Sequence, residues 1–137
     1  MRYITLLALL MLTSCNREVT PVLKSVHPYL KPYYTEFMEL TGHANTSEVI
    51  MVEFSKLMPN GVLGIALGMD ADTTVLVKIN TTHWNELSDN QKWWLVMHEP
   101  SHDILNWEHG HNILMDTPMP WFVSDLMIAI AKKKLSE

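Results

Sequence analysis

A capped helix carrying two histidines one turn apart constrains this chain more than any other feature of it. Ser88-Asp89-Asn90-Gln91 has the form of a capping box, with Ser88 as N-cap and the Gln91 side chain reaching back to its amide. Gln91 to Leu105 then reads as a helix carrying Trp93, Trp94, Leu95 and Met97. Within it lies His98-Glu99-Pro100-Ser101-His102, the pattern HExxH. Residues at i and i+4 share a helix face, so the two imidazoles can bind one Zn2+ at about 2.0–2.1 Å each. Glu99 lies beside them, where it can take a proton from a zinc-activated water. The bare pattern also arises by chance, as two surface histidines on an amphipathic helix. Three neighbours weigh against chance: the helix has its own cap, a strand precedes it, and further histidines follow.

A catalytic zinc needs a third protein ligand. In the long pattern HExxHxxGxxH of metzincin peptidases, a glycine seven residues after the first histidine turns the chain. The third histidine follows three residues later. Here the glycine position holds Leu105, for which φ > 0 is unfavourable. The next residue, Asn106, tolerates the left-handed conformation best after glycine. Three beyond it stands His109, and the competing donors are Glu108, which holds the metzincin position by count, and His111. Met115, with a hydrophobic residue before it and Pro118 soon after, is the candidate for a methionine turn below the metal. Ten methionines in the chain make a coincidental one common, so Met115 is support only. Asp103 and His111 are read either as outer partners of the site or as an ordinary helix-surface carboxylate and a solvated histidine. Trp93, Trp94, Trp107 and Trp121 read as core and rim packing rather than a substrate cage.

The chain around this helix is short. Its 137 residues, 47% hydrophobic and 18% charged, amount to one domain, too apolar for a disordered tail and too interrupted for a multi-span membrane protein. Ten Lys+Arg against 15 Asp+Glu give a net charge of −5, which argues against a nucleic-acid partner. The one basic run, Lys132-Lys133-Lys134, reads as a solvated helix end. A single cysteine excludes an internal disulfide framework and a multi-cysteine zinc site. That cysteine closes a leader: Arg2 precedes an apolar stretch from Ile4 to Leu12, the shape of a secretory signal peptide. Leu12-Thr13-Ser14-Cys15 resembles the bacterial lipobox, in which the cysteine is lipidated and becomes the new N-terminus; the alternative is a buried N-terminal helix with an incidental cysteine. Residues 1–14 are thus expected to be a lipoprotein signal peptide, 15–28 the lipidated Cys15 and a tether containing Pro21 and Pro28, and 29–137 the domain. Removing residues 1–14 takes away Arg2 and leaves 123 residues with nine Lys+Arg against 15 acids, a net charge of −6. Asn16 after the cysteine favours the outer membrane, by analogy with other lipoproteins.

Along the domain, Tyr29 to Thr41 has apolar residues at 30, 33, 34, 37, 38 and 40, a helical period, with Gly42 as its stop. Glu48 to Leu57 is strand-like, Pro59-Asn60-Gly61 is a turn, and Val62 to Leu67 is a second apolar run. After a polar break, Thr74 to Asn80 is the clearest strand. Beyond the central helix, a loop spans roughly 106–118 and a last helix runs from about Pro120 to Leu135, apolar at 121, 122, 126, 127 and 130. The order is helix, about three strands, helix, loop, helix: an α+β domain, expected to be a monomer.

From Val75 to Met115 the sequence resembles a group of small bacterial zinc metallopeptidases of metzincin-like type, many of them lipoproteins of Bacteroidetes or encoded by their phages. Their pattern runs strand, Ile-Asn or Ile-Asp, a Tyr/His-Trp step, a Ser/Asp helix cap and HELGH. A hydrophobic pair, Asn, and a histidine eleven residues after the first complete it. This chain supplies Val77-Lys78-Ile79-Asn80, His83-Trp84, Ser88-Asp89 and the run from His98 to His109. About 40 of the 123 mature residues carry the likeness; the N-terminal half matches only in its order of elements. The resemblance implies a metzincin-like fold, Zn2+ held by His98, His102 and His109, and a peptide or protein substrate. It also implies hydrolysis in which zinc polarises the scissile carbonyl and lowers the pKa of its water to about 7. Glu99 would accept the proton and pass it to the leaving amine. By the same analogy, Thr74–Asn80 is expected to be the edge strand that pairs with an extended substrate. Residence follows from the lipobox: the cell envelope, anchored to the membrane through Cys15.

One departure matters. The family's Leu-Gly inside HELGH is Pro100-Ser101 here. A proline in a helix interior loses the amide bond back to Val96 and clashes with that carbonyl, costing about 3 kcal/mol. A kink there would alter the angle between His98 and His102. A second reading is therefore a degenerate cell-envelope lipoprotein that binds metal without catalysis, and a third is a structural or adhesion lipoprotein.

Overall fold

The backbone is organised by strands that pair with partners far away in sequence. The computed structural model describes residues 25–43, 49–67 and 74–137. One mixed sheet contains β1 (Ser25–Val26), β2 (Val49–Ser55), β3 (Gly64–Leu67) and β4 (Thr74–Asn80), in the spatial order β1-β2-β4-β3. β1 runs parallel to β2, and β2 parallel to β4, with Val52 opposite Val77 and Phe54 opposite Ile79. β3 runs antiparallel to β4, with Gly64 opposite Ile79 and Leu67 opposite Leu76. Side chains alternate across a strand, and β4 buries Val75, Val77 and Ile79 while Leu76 and Lys78 stay partly exposed.

The buried face of the sheet is covered by helices. α1 (Lys31–Thr41) connects the parallel pair β1 and β2 in sequence and turns Tyr34, Phe37 and Met38 inward. It ends at Gly42, whose φ of 72° is the left-handed conformation that a side chain disfavours. α2 (Thr81–Trp84) is a single turn, capped by the Asn80 side chain, which accepts from the Thr82 amide and donates to the Val62 carbonyl. α3 (Asp89–Ile104) begins at the expected capping box: the Gln91 amide donates to Ser88 Oγ at 3.2 Å and the Ser88 amide to Gln91 Oε1 at 3.0 Å. It buries every residue from Trp93 to Ser101. A 3₁₀ turn (Ile113–Met115) and α4 (Asp125–Leu135) complete the chain, and α1 packs on both α3 and α4. Fully buried Trp94, Tyr34, Phe37, Leu30, Ile79, Met97, Leu114 and Met115 form the centre of the core. Complete burial of an aliphatic or phenylalanine side chain contributes about 1.5–3 kcal/mol.

The α+β class stands, with four strands among the described residues rather than about three. The extra one is Ser25–Val26, inside the stretch expected as a tether; two residues are too few to show periodicity, and their pairing with Met51 and Val52 creates the strand. The expectation that Thr74–Asn80 is the edge strand is overturned: β4 is flanked by β2 and β3, and β3 holds that edge. The last helix begins at Asp125 instead of Pro120, because Ser124 caps it by accepting the Met127 amide. Its expected apolar face is also wrong in part. Trp121, Phe122, Leu126 and Ile130 are exposed, and Val123, Ala131 and Leu135 are the buried positions. Residues 1–24, which include the expected leader and Cys15, lie outside the described residues. Among the described residues, no helix is long and apolar enough to cross a membrane.

Candidate metal centre

Helix α3 delivers the first two candidate ligands by its period alone. His98 and His102 lie one turn apart, and their Nε2 atoms approach to 3.2 Å. The helix continues through Pro100, so the expected distortion does not separate the pair. Ser101, beside it, turns its hydroxyl back to the Met97 carbonyl at 2.7 Å.

The third histidine arrives through the turn that the sequence places at Asn106. Leu105 keeps a right-handed backbone, and Asn106 takes φ of 53°, the one non-glycine residue with positive φ among the described residues. The chain reverses there, with the Trp107 amide donating to the Ser101 carbonyl at 3.1 Å. His109 Nε2 then lies 3.0 Å from His102 Nε2. The donor atoms of His98, His102 and His109 all fall within 4.8 Å of one another. Glu108 lines a hollow beside His102 and His109 without joining the trio, and His111 stacks on Trp107 at a centroid distance of 4.8 Å. Gly110, with φ of 80°, donates its amide to the Met115 carbonyl at 2.9 Å, which ties the ligand loop to the 3₁₀ turn. Met115 is fully buried there.

Hydrogen bonds fix the ring orientations. His98 Nδ1 lies 2.8 Å from the Leu114 carbonyl and His102 Nδ1 lies 2.7 Å from the Trp107 carbonyl. A carbonyl only accepts, so each Nδ1 carries the proton and each Nε2 keeps its lone pair. Two lone pairs facing each other at 3.2 Å are not a hydrogen bond; they attract only through a cation between them. Tetrahedral bonds of about 2.0–2.1 Å would hold ligand nitrogens about 3.3–3.4 Å apart, close to the separations seen. The donor set therefore fits a metal ion. His98 is 9% exposed, and burial pushes its pKa down to about 4, helped by His102 and His109 and opposed by the Leu114 carbonyl. Burial likewise lowers His102. Both shifts favour the neutral ring, the form a metal requires.

Glu99 is 6% exposed, and burial pushes its pKa up to about 7 against the opposing hydrogen bond from the Ala66 backbone. That bond comes from β3, so the edge strand grips the carboxylate directly. The grip depends on Gly64. A Cβ there would meet Glu99 Oε1 at 2.6 Å and Cγ and Cδ at 2.8 Å. Sequence reasoning missed Gly64; its signal is a glycine inside an apolar strand run, which marks a close approach by another group. Tyr34, on α1, is fully buried, and burial first, then the charges of Glu99 and Asp103, raise its hydroxyl well above the usual tyrosine value. Asp103 thus acts electrostatically on the layer beneath the site.

Two hollows meet at the histidines. One, of about 290 Å³, is lined by Leu63, Gly64, Trp94, Leu95, Pro118 and Met119 together with His98, Glu99 and His109. The other, of about 390 Å³, follows Gly64, Ile65 and Ala66 past His102 and Glu108. A groove therefore runs beside β3 and across the trio. Comparison with protein-family models, curated proteins and solved structures returned no match to this chain.

Proposed function

We propose that the chain is a zinc-dependent peptidase that hydrolyses peptide bonds with Glu99 as general base. The observation that supports this most is the convergence of three Nε2 atoms beside a buried carboxylate held against an edge strand. Three imidazoles leave a fourth position open, the pattern of catalytic rather than structural zinc. Zinc held by His98, His102 and His109 supplies Lewis-acid polarisation of a carbonyl and a water of lowered pKa. The chain's own groups do the rest. Glu99 takes a proton on its carboxylate and returns it to the leaving amine, a task suited to a group whose affinity for protons is raised toward neutrality. An extended peptide would lie along β3, the end strand among the described residues, and β3 takes over the role that Thr74–Asn80 was expected to fill. The Leu114 and Trp107 carbonyls orient two of the three rings, His98 and His102.

The same reading places the protein in the cell envelope, as a monomer lipidated at Cys15 and attached to the outer membrane. Intact mass of the purified mature chain tests the anchor: an N-terminal acylated Cys15 supports it, and a free Met1 sinks it. The second reading, metal binding without catalysis, rests on Pro100-Ser101 within the ligand pair. Zinc content and cleavage of a generic peptide, compared between wild type and Glu99→Gln, separate the two. One zinc in both proteins with cleavage only by wild type supports the peptidase. Zinc without cleavage supports the inactive form, and absence of zinc removes both.

A further inference from the structure

Four large apolar side chains around the start of α4 stand in solvent. Trp121 is 91% exposed, Phe122 62%, Leu126 70% and Ile130 40%. The other exposed large apolar residues, Tyr29, Leu57 and Leu67, are scattered along the chain. Hydrogen bonds from α3 hold this segment in place. Gln91 Nε2 donates to the Trp121 carbonyl at 2.9 Å, and Asn90 Nδ2 donates to the Val123 carbonyl at 3.0 Å and to Asp125 Oδ1 at 2.9 Å. The Trp121 and Phe122 rings lie side by side, 6.2 Å between centroids. α4 continues the patch: Leu126, Ala129, Ile130 and Lys133 are all exposed and share one helix face, opposite buried Ala131 and Leu135. A fixed backbone that presents aromatic rings to solvent calls for something that covers them.

The chemistry of the patch selects a bilayer surface as that cover. Tryptophan, phenylalanine and leucine on one face, with lysine beside them, is the make-up of helices that lie in the headgroup region. Tryptophan in particular favours that depth. Lys133 ends the apolar stripe and makes no salt bridge among the described residues, whereas Lys132 and Lys134 pair with Glu36 and Glu137. The patch, on the order of 500 Å², falls short of the ~800 Å² that each partner of a stable dimer buries. Residues 16–24 add proximity. A lipid on Cys15 would keep Ser25 within about 35 Å of the bilayer, so a face of modest affinity is enough.

We propose that Trp121, Phe122, Leu126 and Ile130 form a membrane-docking face. Their side chains enter the boundary between headgroups and acyl chains of a phospholipid bilayer, and Lys133 meets the phosphates. This rests on and deepens the membrane-attachment reading: the anchor keeps the domain near the bilayer, and the face fixes which side turns toward it.

The full chain as purified, mixed with vesicles of phosphatidylcholine and phosphatidylglycerol in equal parts, tests this through tryptophan emission. Lipid brominated in its acyl chains quenches indoles that enter the bilayer. The expected result is quenching of the wild type that is lost in Trp121→Ala and reduced in Leu126→Glu. Both side chains are exposed, so neither substitution disturbs the core. Equal quenching in wild type and Trp121→Ala, or none in either, overturns the face. So does a dimer in sedimentation that Leu126→Glu dissociates, which would assign the patch to a second copy of the chain. The readout is local to Trp121, so the anchor and the face fail separately. Trp121-dependent quenching with an unmodified Cys15 refutes the anchor and keeps the face. An acylated Cys15 without that quenching refutes the face and keeps the anchor.

Discussion

Replacing Gly64 with alanine tests how the edge strand and the Glu99 carboxylate are fitted together. The new Cβ would lie 2.6 Å from Glu99 Oε1 and 2.8 Å from Cγ and Cδ, shorter than any relaxed carbon contact. Carbon and oxygen normally rest at about 3.4 Å or more, so one side must yield by roughly 0.6–0.8 Å. The carboxylate has little room to move, because it is 6% exposed and tied to the Ala66 backbone. Overpacking of this kind costs about 1–3 kcal/mol, and losing the bond from Ala66 adds about 1.5–3 kcal/mol if Glu99 is ionised. Against this, alanine reduces the freedom of the unfolded chain, a gain of about 0.4–1 kcal/mol. The net expectation in the metal-free protein is destabilisation by about 1.5–5.5 kcal/mol with Glu99 ionised, and by up to about 2.5 kcal/mol with it protonated. Urea unfolding of wild type, Gly64→Ala, Glu99→Ala and the double variant measures it as a cycle. Since the clash is with the Glu99 side chain, Gly64→Ala should be neutral or stabilising once Glu99 is alanine, with a coupling above about 1 kcal/mol. Equal destabilisation in both backgrounds would refute the close-approach argument. So would a harmless Gly64→Ala in the wild-type background.

Four further outcomes follow from the same geometry. Alanine at His98, His102 or His109 should each abolish stoichiometric zinc by elemental analysis, while Glu108→Ala and His111→Ala should retain it; zinc loss in Glu108→Ala would return the third ligand to that residue. In the metal-free protein, Glu99 has its pKa raised from 4.5 to about 7, so its contribution is fully present below pH 4.5 and is lost as pH rises through 7. Glu99→Gln, which stays neutral, should therefore gain on wild type across that window, by on the order of 3 kcal/mol at pH 8, as read by urea unfolding at several pH values. His98 works in the other direction: its lowered pKa means stability that is full above pH 6.5 and lost as pH falls toward 4, and a flat profile below pH 6 would contradict its burial. Pro100→Ala should restore a helical hydrogen bond to Val96 and raise stability by up to about 3 kcal/mol without changing zinc stoichiometry, because the histidines already converge with proline present.

Local rules made much of the site legible. The capping box set the start of α3, the i and i+4 spacing set the His98–His102 pair, and the left-handed tolerance of asparagine set the turn that delivers His109. What stayed hidden depends on neighbours remote in sequence. Alternation in Thr74–Asn80 shows that one face is buried, and it cannot show that β3 continues the sheet beyond it. β3 precedes β4 in the chain yet lies outside it, so the parallel β2–β4 pairing skips a strand. Gly64 touches Glu99 across 35 residues of sequence, and nothing near either residue announces the contact. Trp121 and Phe122 mislead for the opposite reason: their apolar side chains suggest the buried face of a helix, and the helix begins only after them.

The central claim is that His98, His102 and His109 hold one zinc ion through Nε2. Anomalous diffraction at the zinc edge from crystals of the full chain tests it most directly. The account predicts a single peak about 2.0–2.1 Å from all three Nε2 atoms, with the His98 and His102 Nδ1 atoms still on the Leu114 and Trp107 carbonyls. No peak at that position, or one that omits His109 in favour of Glu108, would contradict it.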